Sequence, residues 1–250
     1  MLIPVDQLVG QLPPRGAARG TAWRRVQSAP LMKGLVKKLS DADDPGSFSN
    51  RMRGRRFALF ERLVAPLGRP LKILDIGGTN AFWEMRRWAG LDDVSVTLVN
   101  LHPEPQRHAN IFPTAGDATN LPQYADGSFD VAFSNSVIEH LFTFENQLKM
   151  AREVRRVGRH YWVQTPNYWF PMEPHFQVPG WQWMPRWLRV QILRRCACGR
   201  RGPIPDPTAA RRSIEEVHLL TRRQMRRLFP DAQLYPERFA GLVKSWIAWG

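Results

Sequence analysis

Cysteine is almost absent from this chain of 250 residues: Cys196 and Cys198 are the only two, and a single residue separates them. A disulfide across that spacing is strained, and a zinc site needs further Cys or His beside it. Neither a secreted disulfide framework nor a metal-ligand set is therefore read from the sequence. No apolar run approaches the roughly 18 residues needed to cross a bilayer. The opening residues, Met-Leu-Ile-Pro-Val-Asp, have no basic stretch followed by an apolar core, so no signal peptide is read there and a cytoplasmic protein is expected. Also missing is the Gly-x-Gly-x-x-Gly turn with an acid about 20 residues further on, which argues against a dinucleotide enzyme. No internal repeat is visible.

What is abundant is positive charge, and it is unevenly placed. The formal net charge of +14 divides into +7 for residues 1–58, −2 for 59–180, +9 for 181–227 and zero for 228–250. A nearly neutral centre between basic flanks points to an anionic partner or surface beside the active centre rather than in it, although solvated arginine-rich helix faces give the same count.

The chain is organised around Leu71–Ala81, Leu-Lys-Ile-Leu-Asp-Ile-Gly-Gly-Thr-Asn-Ala. Its first six residues read as a strand buried on both faces. Gly77 and Gly78 then let the backbone turn sharply and approach a ligand closely, and a helix over 82–89 follows. Strand, glycine turn and helix together aim backbone N–H groups at a crevice beyond the strand's carboxyl end. Upstream, residues 1–47 are rich in Pro, Gly and Arg, with a short helix expected over 31–39; Phe57, Phe60, Val64 and Leu67 give a helical stripe over 50–67. Downstream, strands are expected over 94–99, 110–112, 129–133 and 161–165, a helix over 145–157, a helix over 222–228 and two terminal strands over 232–239 and 242–248. Strands alternating with helices argue for a parallel sheet covered on both faces. Residues 166–215 break the rhythm with eight of the 21 prolines, and four of the ten tryptophans fall between Trp169 and Trp187.

Three stretches in order carry a resemblance: Ile73-Leu74-Asp75-Ile76-Gly77-Gly78, then Gly116-Asp117-Ala118 before Leu121-Pro122, then Gly127-Ser128-Phe129-Asp130-Val131-Ala132 running into Val137-Ile138-Glu139-His140-Leu141. Over roughly residues 70–165 the chain resembles the class I S-adenosylmethionine-dependent methyltransferases, in their small-molecule, type 11-like branch. The resemblance implies an α/β fold, a three-layer Rossmann-like sheet, mostly parallel with its last strand antiparallel, and an inserted cap after the fifth strand. It implies S-adenosyl-L-methionine as cofactor, with Asp75, Gly77 and Gly78 at its methionine end, Asp117 and Ala118 at the adenine and Asn135 near the sulfonium. Thr79 and Ala81 stand where the family has further glycines, and Asn100 stands where the second strand usually ends in an acid for the ribose hydroxyls. An amide is neutral and accepts only through its oxygen, so weaker cofactor binding is expected.

Methyl transfer asks chiefly for in-line positioning, and a hydroxyl nucleophile also needs a base. The candidates are His140, beside Glu139 after the fourth strand, and His175, after the fifth. The domains read as a basic N-terminal extension and helix (1–58), a cofactor-binding core (59–165), a substrate cap (166–218) and a C-terminal helix and strand pair (219–250). In the cap, positions 184, 187, 188 and 192 share a helical face that closes over the site or, with tryptophan at headgroup level and arginine on anionic lipid, lies on a membrane through residues 181–195. The expected reaction is O-methylation of a small-molecule, saccharide or lipid-linked acceptor. The alternatives are a non-catalytic protein of this fold that binds RNA or membrane, and an RNA methyltransferase; nucleic acid is the less favoured partner, because no RNA-binding module is recognisable.

Overall fold

The computed structural model describes residues 48–199 and 201–250; the expected helix over 31–39 lies outside them. The described residues fall into two compact units, one ending at Gly68 and the other running from Arg69 to Gly250. In the first, helix α1 spans Phe48–Val64 and a 3-10 turn, Ala65–Leu67, ends it. The rings of Phe57 and Phe60 meet in it at 5.5 Å. The expected boundary at 58/59 is corrected: it falls inside α1, because the apolar stripe continues to Val64, and the chain leaves the unit at Gly68, whose φ of 76° needs no Cβ.

The second unit is built on β1 (Leu71–Ile76), β2 (Val94–Asn100), β3 (Ile111–Ala115), β4 (Phe129–Asn135), β5 (Gly158–Pro166), β6 (Gln233–Phe239) and β7 (Leu242–Trp249). They form one sheet in the order β3-β2-β1-β4-β5-β7-β6. β1 lies parallel to β2 with Leu71 opposite Val94, and parallel to β4 with Ile73 opposite Val131. Its chain order reverses between β1 and β4, which is where open α/β sheets bind ligands. Only β7 runs against its neighbours, antiparallel to both β5 and β6. This is the mostly parallel Rossmann-like sheet that the resemblance implies.

Apolar spacing explains the placement. Leu71, Ile73, Leu74 and Ile76 are all buried, as a strand covered on both faces requires. Helix α2 spans Asn80–Met85 and α3 spans Phe144–Val157. α3 buries Met150, Ala151, Val154 and Val157 on one stripe, and Thr143 caps it by accepting from Asn146 N. Met150, Val154 and Val157 each contribute about 1.5–3 kcal/mol at full burial. α2 stops short of the expected 82–89 because Arg87 adopts a φ of 59° and turns the chain away. Ala240 and Gly241, at φ 47° and 80°, make the two-residue turn that sets the β6–β7 register.

Between β5 and the last helix α6 (Arg222–Leu228) the chain builds the cap: a 3-10 turn (Trp181–Trp183), α4 (Arg186–Arg195) and α5 (Pro207–Glu215). The cap has its own core of Phe176, Trp181, Val190, Leu193, Cys198, Ala210 and Ile214, with Phe176 stacked on Trp181 at 4.5 Å. The expected helix face is corrected here. α4 buries Val190 and Leu193, with Met184 and Ile192 packed beside them, whereas Trp187 is 68% exposed. α4 packs on α5 inside the cap, so the face turned inward is set by α5 and not by the sheet. Asn167 pairs with Leu220 across the neck of this insertion.

Candidate functional site

The glycine turn is a rigid corner. Gly77 has a φ of 79°, and a Cβ there would meet Val137 Cγ2 at 2.5 Å. A Cβ on Gly78 would lie 1.9 Å from Asp75 Oδ2. Asp75 is 1% exposed, and its Oδ2 accepts from Trp83 Nε1 at 2.8 Å. Burial pushes its pKa up to about 7, against the opposing pull of the Trp83 hydrogen bond. One oxygen of the carboxylate expected at the cofactor's amino group thus also holds up the turn from beneath, through the Trp83 indole.

The other residues expected at the cofactor lie at the carboxyl ends of the same strands. Thr79 caps α2 by accepting from Phe82 N. Asn100 ends β2 and donates from Nδ2 to Gly78 O at 2.8 Å, which leaves its Oδ1 as the acceptor that the resemblance asks for. Asp117, two residues past β3, is exposed, and its Oδ1 accepts from Thr119 N and Oγ1. Ala118 is buried in the sheet's core cluster. Asn135 ends β4 beside Gln164 of β5. Glu104 was not among the expected residues. Four positions past Asn100, its Oε2 accepts from both the backbone N and the Nδ2 of Asn80, which ties the loop after β2 to the start of α2. Asn80 itself is fully buried and its Oδ1 has no donor. A buried acceptor without a donor, an open amide oxygen on Asn100 and an exposed carboxylate on Asp117 fit a ligand with ammonium, ribose and adenine donors. S-adenosylmethionine has all three, so the residues present suit it.

The second group of expected residues converges. The 3-10 turn Ile138–His140 follows β4 and carries Glu139 and His140, and His175 follows β5. The rings of His140 and His175 meet edge to face at 4.7 Å. His175 Nε2 lies 3.9 Å from Glu139 Oε1, and its Nδ1 is 2.6 Å from Glu173 Oε1. Glu139 is fully buried; its Oε2 accepts from Thr165 Oγ1 at 3.0 Å, and its Oε1 has no hydrogen-bond partner. Burial raises the Glu139 pKa against the charge of His175 and the Thr165 bond. Burial, then the charges of His175 and Arg201, lowers His140 to about 3, so its imidazole is neutral. Burial also pulls His175 down, but the Glu173 hydrogen bond and the charges of Glu173 and Glu139 outweigh it, and the net direction is upward. Glu173 and Thr165 complete the cluster. Only their place beside His175 and at the tip of β5 marked them in the sequence.

A cavity of about 540 Å³ adjoins this cluster. It is lined by Phe142 after β4 and by the cap residues Tyr168, Trp181, Arg189, Glu173 and His218, the last two of which tie it to the cluster. Glu173 holds His175, and His218 donates its backbone N–H to Glu139 O at 2.7 Å.

Residues 74–160 match a family described as Methyltransferase domain. Two uncharacterised proteins of Mycobacterium tuberculosis, from strains CDC 1551 and H37Rv, are each 35% identical over 89 residues. The match takes in 36% of this chain and 29% of theirs, so the chain spans under a third of the length of the curated relatives it matches. Among solved structures, the CurJ carbon methyltransferase superposes with a TM-score of 0.52 at 11% identity, over 87% of this chain and 57% of that one. A methyltransferase from Aquifex aeolicus described as dependent on the same cofactor aligns at 13% identity and a TM-score of 0.40, over 86% and 96% of the two chains. In its matched segment and its strand order, this chain is similar, over residues 74–160, to the class I S-adenosylmethionine-dependent methyltransferases.

Proposed function

We propose that the protein transfers a methyl group to a hydroxyl of a small-molecule acceptor, saccharide or lipid-linked, seated in the cavity between the cap and α6. The observation that supports this most is the polar cluster Glu139–His140–His175 at the carboxyl ends of β4 and β5, beside that cavity and across from the glycine turn. Bound S-adenosylmethionine supplies a methyl group on a sulfonium, already a strong electrophile. Gly77, Gly78, Asn100 and Asp117 hold it and orient it. A hydroxyl must lose its proton as it attacks, and this cluster is the titratable group next to the acceptor cavity. Glu173 fixes the His175 ring, and Thr165 fixes Glu139, so the reacting geometry is set before the acceptor arrives.

The cap's outer surface supports a peripheral membrane contact through residues 181–195. Trp183 and Trp187 are 47% and 68% exposed and stand among Arg186, Arg194 and Arg195. That is the pairing of interfacial aromatics and cations that anionic lipid attracts. No described helix is long and apolar enough to cross a membrane.

Calorimetric titration with S-adenosylmethionine, followed by transfer of a labelled methyl group to saccharide and lipid extracts, tests the proposal. Micromolar binding with label in an ether-linked product is the expected result. Absence of cofactor binding at millimolar concentration overturns it.

A further inference from the structure

The geometry points to a divalent transition-metal site, of the kind that takes zinc, formed by Glu139 Oε1, one ring nitrogen of His140 and Nε2 of His175. These three side chains offer ligand atoms that all lie within 4.8 Å of one another. Two imidazoles and one carboxylate are a recognised ligand set for such ions, and imidazole nitrogens select against magnesium and calcium.

Two features go beyond proximity. Glu139 Oε1 is fully buried and has no hydrogen-bond partner, while its sister oxygen is held by Thr165. A carboxylate oxygen left bare in the interior is unfavourable, and a cation among these ligands removes that penalty. The outer contacts also follow the pattern found around metal ligands. His175 directs Nδ1 to the carboxylate of Glu173 at 2.6 Å, which fixes the tautomer and leaves Nε2 as the coordinating atom. The gap of 3.9 Å between His175 Nε2 and Glu139 Oε1 is too long for a hydrogen bond and close to the separation of two ligands of one ion.

The charge balance permits a cation. Glu139 and Glu173 face the cluster from β4's turn and the cap loop. Arg201 is the nearby positive group, and it is engaged by Glu216 at 3.3 Å, with its guanidinium over the Phe176 ring at 4.9 Å. Three protein ligands leave a fourth position open, as in catalytic rather than structural sites. The adjoining cavity, lined by Glu173 and His218, gives both an entry path and a place for an acceptor oxygen. This last role rests on the methyl-transfer reading; the binding of the ion does not.

The test uses the untagged full chain, stripped with a chelator and reloaded with zinc or cobalt. Elemental analysis is expected to give one equivalent of zinc, and bound Co²⁺ to show the visible absorption of a low-coordinate nitrogen and oxygen site. Glu139→Gln and His175→Ala should lose that equivalent. Glu173→Gln, which alters the outer contact to His175 while keeping an acceptor for Phe176 N, should weaken zinc binding about 10–100-fold. Cys196→Ser should bind zinc like the wild type, which separates this site from the thiol pair. Should a ligand variant fail to fold, the wild-type stoichiometry and the Glu173→Gln affinity decide. Wild-type protein that retains no metal at micromolar zinc, or ligand variants that keep it, would overturn the site. Titration of S-adenosylmethionine on the same samples is read separately: cofactor binding without metal sinks the metal site alone, and metal without cofactor sinks the methyl-transfer reading alone.

Discussion

The two ends of the crevice carry polar groups in opposite conditions. At the tips of β1 and β2 the groups brace the protein itself: Asp75 takes the Trp83 indole, Asn100 holds the Gly78 carbonyl, and Glu104 holds Asn80. At the tips of β4 and β5 the cluster is oriented but unspent, with Glu139 Oε1 unpartnered and His140 kept neutral by its burial. The first region is a frame completed during folding, and its polar contacts appear as stability. The second is held in place from outside, by Thr165 and Glu173, and its inner atoms remain available. Within one sheet, then, nearness to a strand tip does not say whether a polar residue supports the site or reacts in it. The count of its existing partners does.

The sharpest way to break this comparison is His175→Ala. Methyl transfer should fall about 10²–10⁴-fold, while the S-adenosylmethionine dissociation constant measured by calorimetry stays unchanged; an equal loss of cofactor binding would merge the two regions.

Asp75→Asn probes the frame. The wild-type carboxyl is raised from 3.8 to about 7 in the folded state, so folding loses stability as pH climbs between those values, and the amide variant has no such loss. The variant should therefore be more stable by up to ~4 kcal/mol above about pH 8, with the difference vanishing below pH 3.8. A difference in denaturant midpoint that ignores pH would show that Asp75 is not a buried acid. Gly78→Ala places a Cβ 1.9 Å from Asp75 Oδ2 and should cost about 1–3 kcal/mol of stability; in the double variant with Asp75→Ala most of that cost should disappear. The smallest effect belongs to Trp187→Ala: thermal stability within about 0.5 kcal/mol of wild type, but reduced sedimentation with anionic vesicles. Unchanged sedimentation would remove the membrane contact from the cap.

Much of the frame was legible because it is local. The run Leu71–Ile76 announces a strand buried on both faces, and the β-branched run from Val94 announces its neighbour. The histidines at 140 and 175 were marked by their place just past strand ends. What stayed hidden depends on partners far along the chain. Nothing near Asp75 says that Trp83 turns back to cap its carboxylate. Nothing in the loop after β2 says that Glu104 reaches back to Asn80. Trp187 was expected to share one face with Met184 and Ile192, turned to the site or to a membrane, yet α5 decides which side of α4 is covered and leaves Trp187 apart from the other two. The metal-ligand set was missed for the same reason, since Glu139-His140 and His175 are brought together only by the β4–β5 pairing.

The neck of the insertion has a further consequence. Asn167 and Leu220 sit side by side, and Tyr168 N donates to Leu220 O at 3.0 Å, so the chain departs from and rejoins the sheet through a single doorway. Lengthening a loop whose ends are already fixed together changes its closure entropy only slowly. The strands beneath are therefore indifferent to how large the excursion is, and one excursion can be exchanged for another without renegotiating its foundation.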